Sequence, residues 1–200
     1  DDQFEKLLAA RSAQEVKILL TQRKMVPSLP QAVRLRQHLR TLPDAPQHVR
    51  LGIVHTYTSE LLDPWLHFSA ALNQLNLDIY HAPYGVTVQE AAANSGLAQH
   101  CPDITLLLLT REDLHPALQT PATCITLADK QDIIGQLEQT LNGLIRRFRD
   151  TVAGHIVITL LPSPVSPGLG LYDGMAENSE THWWNHIKAT LASSLREGFS

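Results

Sequence analysis

The feature that most restricts how this chain can fold is the apolar run from Ile104 to Leu109. Near-continuous apolar runs of this length belong to strands covered on both faces, and such strands occur in parallel sheets with a helical layer on each side. The flanking segments alternate in the way that sheet requires. Val49–Val54 and Leu77–Tyr80 read as strands, and helical spacing over residues 60–75 separates them. A short helix over 87–93 precedes the apolar run. A loop holding Pro116, Pro121 and Cys124 follows it, and then come a long helix over 129–149, a strand over 155–161 and a last helix over 176–197. The segment from Pro162 to Gly170 has three prolines that remove backbone donors, so it cannot be helix or central strand. The predicted class is therefore α/β, a three-layer α/β/α arrangement on a mostly parallel sheet. Ahead of it, apolar spacing over residues 3–23 and 31–42 predicts an N-terminal helical pair, bounded by Pro27, Pro30, Pro43 and Pro46. The expected division is residues 1–46 as a helical appendage and residues 47–200 as the α/β domain.

Composition narrows the partners. A net charge of -4 with scattered Lys and Arg offers no stripe for a phosphate backbone, so nucleic acid is not an expected partner. No apolar run approaches the roughly 18 residues of a membrane span, so no membrane partner is expected either. The acidic, amphipathic N-terminus does not read as a signal peptide. With 2 cysteines and 10 histidines, the chain fits a reducing cytoplasmic compartment. It starts without Met and stops just after a helix, and so reads as a piece of a longer polypeptide.

In parallel sheets, ligands bind beyond the C-terminal strand ends, where the strand order reverses. The turns at 55–58, 81–87, 110–116 and 162–173 should meet there. The first turn carries His55, Thr56, Tyr57, Thr58 and Ser59. A hydroxyl at a strand-to-helix turn gains exposure and the positive end of the next helix, which makes Thr56 and Thr58 candidate nucleophiles. Equally, Thr58 or Ser59 can simply cap the following helix. Gly85 either offers its N–H to an oxyanion or occupies a turn with positive φ. Glu112 and Asp113 either cap the next short helix or face the cleft as acceptors. His182 and His186, four apart, could form a metal pair, but no third ligand is evident and Trp183 and Trp184 between them favour packing. There is no P-loop, no G-x-G-x-x-G and no G-x-S-x-G.

Four segments, in order, resemble the N-terminal domain of FkbH-like proteins: Leu51-Gly-Ile-Val-His-Thr-Tyr-Thr58 with Leu62; Tyr80-His-Ala-Pro-Tyr-Gly85 with Gln89-Glu90; Pro102-Asp-Ile-Thr-Leu-Leu; and Leu169-Gly-Leu-Tyr-Asp173. The resemblance spans about residues 45–173. Those proteins are glyceryl transferase/phosphatases of polyketide biosynthesis in the haloacid-dehalogenase (HAD) superfamily. The resemblance implies that the full protein loads a glyceryl unit from 1,3-bisphosphoglycerate onto an acyl carrier protein and removes the phosphate. It also implies a C-terminal HAD-like domain, a partner in the same polypeptide, that carries an Asp-x-Asp motif and uses Mg²⁺. No Asp-x-Asp occurs in this chain, so no metal and no cofactor are expected in this half.

The half present resembles an SGNH-hydrolase or flavodoxin-like fold. In that comparison Tyr57 stands where the SGNH serine would be, Gly85 matches the second-block glycine, and Glu112 falls at the asparagine position with Asp113 after it. The late Asp-x-x-His is absent. Family members hold the acyl group on a cysteine, for which Cys101 and Cys124 are the available residues. Cys124, after the third strand, is the better placed of the two. The expected site is thus Thr56 and Thr58, from their place in the first turn, and Cys124, from the resemblance, for chemistry, with His55, Tyr57, Gly85, Glu112 and Asp113 around the substrate. Two alternatives stay open: a self-sufficient SGNH-like esterase or acyltransferase using Thr56 or Thr58, and a non-catalytic carrier-protein docking module.

Overall fold

Among the described residues, four strands form one sheet, and every neighbouring pair is parallel. They are β1 (Gln47–His55), β2 (Leu75–His81), β3 (Ile104–Leu108) and β4 (His155–Ile158), in the spatial order β2-β1-β3-β4. The computed structural model describes residues 2–43, 46–159, 170–176 and 179–199, with side chains for all of these except Leu171 and residues 197–199. Most of the proline-rich segment 162–170 and of the fourth strand-end turn lies outside the described residues, as does Leu169 of the fourth resembling segment.

The apolar run forms β3, and alternation divides it between the two layers. Leu108, with Ile104 and Leu106 packed beside it, joins Leu51 and Ile53 of β1 and Leu66 in one cluster. Leu66 belongs to α4 (Asp63–Leu72), which connects β1 to β2. Leu107, with the next alternate residue Leu109, belongs to the opposite cluster. That cluster is filled by α8 (Leu127–Thr151) and α9 (Glu180–Phe199). In α8, Ile133, Leu137, Leu141, Ile145 and Phe148 recur every three or four residues, a single helical face lying on the sheet. Because α4 and α8 cover opposite faces while β2 and β4 lie on opposite sides of the β1–β3 pair, the crossovers keep one hand. The protein is thus an α/β fold whose all-parallel sheet is flanked by helices on both faces. Between β2 and β3 run two short helices, α5 (Thr87–Glu90) and α6 (Gly96–His100). Buried Glu90 accepts the Leu97 N–H at 2.8 Å and so caps α6.

The N-terminal region contains three helices where the apolar spacing had predicted two: α1 (Asp2–Leu8), α2 (Ala13–Gln22) and α3 (Leu29–Leu39). The expected helix over 3–23 breaks at residues 9–12. Ser12 takes extended backbone there and its side chain accepts the Glu15 N–H, starting a new helix. Phe4, Leu7, Val16 and Leu35 of these helices share a buried cluster with Phe68 of α4. The expected helix over 60–75 also begins differently, as a 3₁₀ turn at 60–62 that becomes α4 with Pro64 in its first turn. No helix among the described residues is long and apolar enough to cross a membrane.

Candidate functional site at the strand ends

The chain passes from β1 to β2 on one side and then to β3 on the other, so the strand order reverses between β1 and β3. An open groove of about 680 Å³ lies at that crevice, lined by Thr56, Tyr84, Gly85, Leu109, Asp113 and Arg147 among others. Three of its walls come from the turns after β1, β2 and β3, and the fourth is α8. This is the position at which doubly wound sheets hold ligands.

Thr56 and Asp113 meet in it. The Thr56 hydroxyl donates to Asp113 Oδ2 at 2.5 Å. The same carboxylate accepts the Thr110 N–H at 2.5 Å and the Thr110 hydroxyl at 2.8 Å. Thr110 and Asp113 thereby form a capping box on α7 (Arg111–Leu114). Both roles considered for Asp113, helix cap and cleft acceptor, are held by one side chain. Glu112 beside it is exposed, and its own backbone N–H and the Thr110 hydroxyl hold its carboxyl below the usual range. Gly85 has φ +73, a backbone conformation that favours glycine, and turns the chain along the groove rim. Tyr57 and Thr58 are exposed, and neither lines the groove.

His55 points elsewhere. It is 3% exposed, and its Nε2 lies 2.9 Å from the Ala82 carbonyl oxygen, tying the end of β1 to the turn after β2. Its Nδ1 lies 2.7 Å from the Tyr57 carbonyl oxygen and 3.0 Å from the Ser59 hydroxyl. Ser59 makes no side-chain cap to the following turn, because its hydroxyl faces His55 instead. Around His55 lies a second group of residues that the sequence reading passed over. His81 ends β2, and its Nε2 sits 3.0 and 3.1 Å from the two carboxylate oxygens of Asp63, the first residue of α4. Its ring centroid is 5.6 Å from that of His55. Glu60 accepts the Ser59 N–H at 3.0 Å. Its own backbone N–H, then that of Ser59 and the imidazoles of His55 and His81, hold its carboxyl below the usual range. One ligand atom each from His55, Glu60 and His81 lies within 4.8 Å of the others. No spacing in the sequence marks this group; the register of the sheet, which pairs Ile53 with His81, brings it together.

Cys124 is exposed in a 3₁₀ turn at 122–124 and lines a separate depression with Lys130, His182, Trp183 and His186. The structure therefore does not bring it to Thr56. Trp183 is buried in the α8–α9 core, and His182 Nδ1 lies 2.8 Å from the Ala176 carbonyl oxygen. Cys101 is exposed at the end of α6, where it takes left-handed backbone with φ 50. A cavity of about 200 Å³, lined by Arg36, Arg40 and His67 together with Leu39 and Leu77, lies near the start of β2, away from the strand-end groove.

No protein-family model and no curated protein matches the sequence. Among solved structures, the fold is similar to the N-terminal part of the protein BF1531 from Bacteroides fragilis, a crystal structure containing a phosphatase domain and complexed with Mg. The TM-score is 0.59 at 13% identity, over 86% of this chain and 43% of that one. The chain thus spans less than half the length of its structural neighbour, and at this identity the likeness establishes the shared fold alone.

Proposed function

We propose that this chain is the N-terminal domain of an FkbH-like glyceryl transferase, helping to load a 1,3-bisphosphoglycerate-derived glyceryl unit onto an acyl carrier protein. The observation that carries the reading is convergence. Three segments that resemble the family, far apart in sequence, end at one corner of the sheet, and Thr56 and Gly85 from two of them line the groove there. The structural neighbour supports it, since the chain that holds the similar fold also contains a phosphatase domain. In this reading the division at residue 46 separates a helical appendage from the α/β domain, and the phosphatase chemistry with its Mg²⁺ belongs to a HAD-like partner domain. A carrier-dependent reaction of this type places the protein in the cytoplasm.

The groove chemistry suits binding and orientation. Arg147 supplies a cation for a phosphate or carboxylate. Thr56, whose hydrogen goes to Asp113, offers its Oγ1 as an acceptor to a hydroxyl of the bound unit. No imidazole hydrogen-bonds to Thr56 among the described residues, and the group that takes its hydrogen is the Asp113 carboxylate, so the arrangement is not a Ser-His-Asp type triad.

The test is titration of the isotopically labelled chain with a phosphopantetheinylated acyl carrier protein, read from backbone amide shifts. Shifts confined to residues such as Thr56, Gly85 and Thr87, reduced in Arg147→Ala, are expected. Absence of any shift in the groove removes the reading. Hydrolysis of simple acyl esters by the chain alone, lost in Thr56→Ala, would replace it with the esterase reading. Carrier binding that leaves loading unchanged would replace it with the docking-module reading.

A further inference from the structure

We infer that His55, Glu60 and His81 form a binding site for a zinc-like divalent cation, with Asp63 as the residue that orients His81. The site lies beside the Thr56–Asp113 groove and does not rest on the function proposed for it.

The donor set is two imidazoles and one carboxylate, with one ligand atom of each within 4.8 Å of the others. Two nitrogens and one oxygen suit Zn²⁺, Co²⁺ or Ni²⁺ better than Mg²⁺, which takes oxygen ligands. Asp63 adds the second observation. Its carboxylate faces His81 Nε2 at 3.0 Å, so that nitrogen carries the hydrogen and donates it. His81 Nδ1 is then left with its lone pair, and it is buried with no hydrogen-bond partner among the described residues. A buried acceptor without a partner costs free energy that a cation would recover. A carboxylate on the far nitrogen of a ligating histidine is the usual means by which proteins fix its tautomer and ring orientation.

Metal uptake requires a local contraction. Ligand atoms around a tetrahedral zinc stand roughly 3.3 Å apart, given Zn–N and Zn–O bonds of about 2.0–2.1 Å. Glu60 is exposed and can swing. His55 keeps its Nε2 contact to Ala82 and exchanges the Tyr57 and Ser59 contacts of Nδ1 for the ion. With three protein ligands, the remaining coordination position falls to water or to an oxygen of a bound molecule.

The experiment is isothermal titration of the untagged, metal-stripped chain with Zn²⁺, and with Co²⁺ followed by its visible absorption. One equivalent of either ion should bind, with a visible Co²⁺ spectrum of low symmetry. Glu60→Gln, an exposed change that leaves the core untouched, should weaken binding at least tenfold, and His81→Gln more. Asp63→Asn should weaken it about 10–100-fold, as removal of an orienting partner does. The double variants Cys101→Ser/Cys124→Ser and His182→Ala/His186→Ala should bind like the parent. The inference is overturned if Zn²⁺ binding is absent, if it survives Glu60→Gln and His81→Gln unchanged in variants with parental circular dichroism, or if it vanishes only in the cysteine or α9 histidine variants.

Discussion

Thr56 donates its hydroxyl hydrogen to the carboxylate of Asp113, 57 residues further along the chain. That bond joins the turns that follow the two central strands. It sits where the strand order reverses, so it forms part of the floor of the groove as well as part of a helix cap. Asp113 holds both Thr110 and Thr56, whereas Thr56 holds only Asp113 among its described side-chain bonds.

That asymmetry predicts unequal costs. Thr56→Val should destabilise the protein by about 1 kcal/mol, the ordinary value of one hydrogen bond. Asp113→Ala should cost about 2 kcal/mol, because the α7 cap is lost with it. The double variant should be little worse than Asp113→Ala alone, since both changes break the same bond. Urea denaturation of the three variants checks this, and strictly additive costs would contradict a shared interaction.

Two glycines should respond in opposite directions to alanine. A Cβ at Gly154 would stand 2.4 Å from the backbone carbonyl oxygens of Pro102 and Asp103, and backbone cannot yield as a side chain does. Gly154→Ala should destabilise, with a fall in thermal midpoint as β4 is pushed from β3. A Cβ at Gly135, inside α8, would meet nothing within 4 Å among the described residues. Gly135→Ala should stabilise by about 0.5–1 kcal/mol through the helix preference for alanine. Thermal unfolding followed by circular dichroism separates the two.

The third prediction concerns alkaline pH. Burial, then the charge and hydrogen bond of Glu90, raise the Tyr80 phenol above its ordinary value. An unfolded tyrosine ionises near pH 10. Above that pH the unfolded chain releases a proton that folded Tyr80 still holds, so the stability drawn from this group is lost as pH rises towards the folded value. The stability difference between the parent and Tyr80→Phe should therefore shift in favour of the variant above about pH 10. Denaturant titrations at a series of pH values check it, and a difference that stays flat or moves the other way would contradict it.

Much of this fold was legible because its signals are local and periodic. The apolar run that became β3 and the regular apolar face of α8 needed only their own residues. The helix break at Ser12 was also written locally, as Ser12-x-x-Glu15, but the longer apolar spacing of residues 3–23 obscured it. Asp113 was legible as a residue and only half legible as a role, because its bond to Thr56 depends on two strands ending side by side. The cluster of His55, Glu60, Asp63 and His81 has no fixed spacing to find. It comes from the end of β1, the turn after it, the start of α4 and the end of β2, and only the parallel register joins them. The expectation of no metal in this half followed from the missing Asp-x-Asp, which bears on a different chemistry. Cys124 was chosen for following the third strand, yet the chain carries it along to the α8–α9 side before the helix begins.

The most direct measurement is the intact mass of a phosphopantetheinylated acyl carrier protein after incubation with 1,3-bisphosphoglycerate and a HAD-like phosphatase domain of the FkbH type. The account predicts that the carrier gains a glyceryl unit when this chain is present, and gains it more slowly with Thr56→Val or Arg147→Ala. Equal loading with and without the chain, or no loading in any combination, would contradict it.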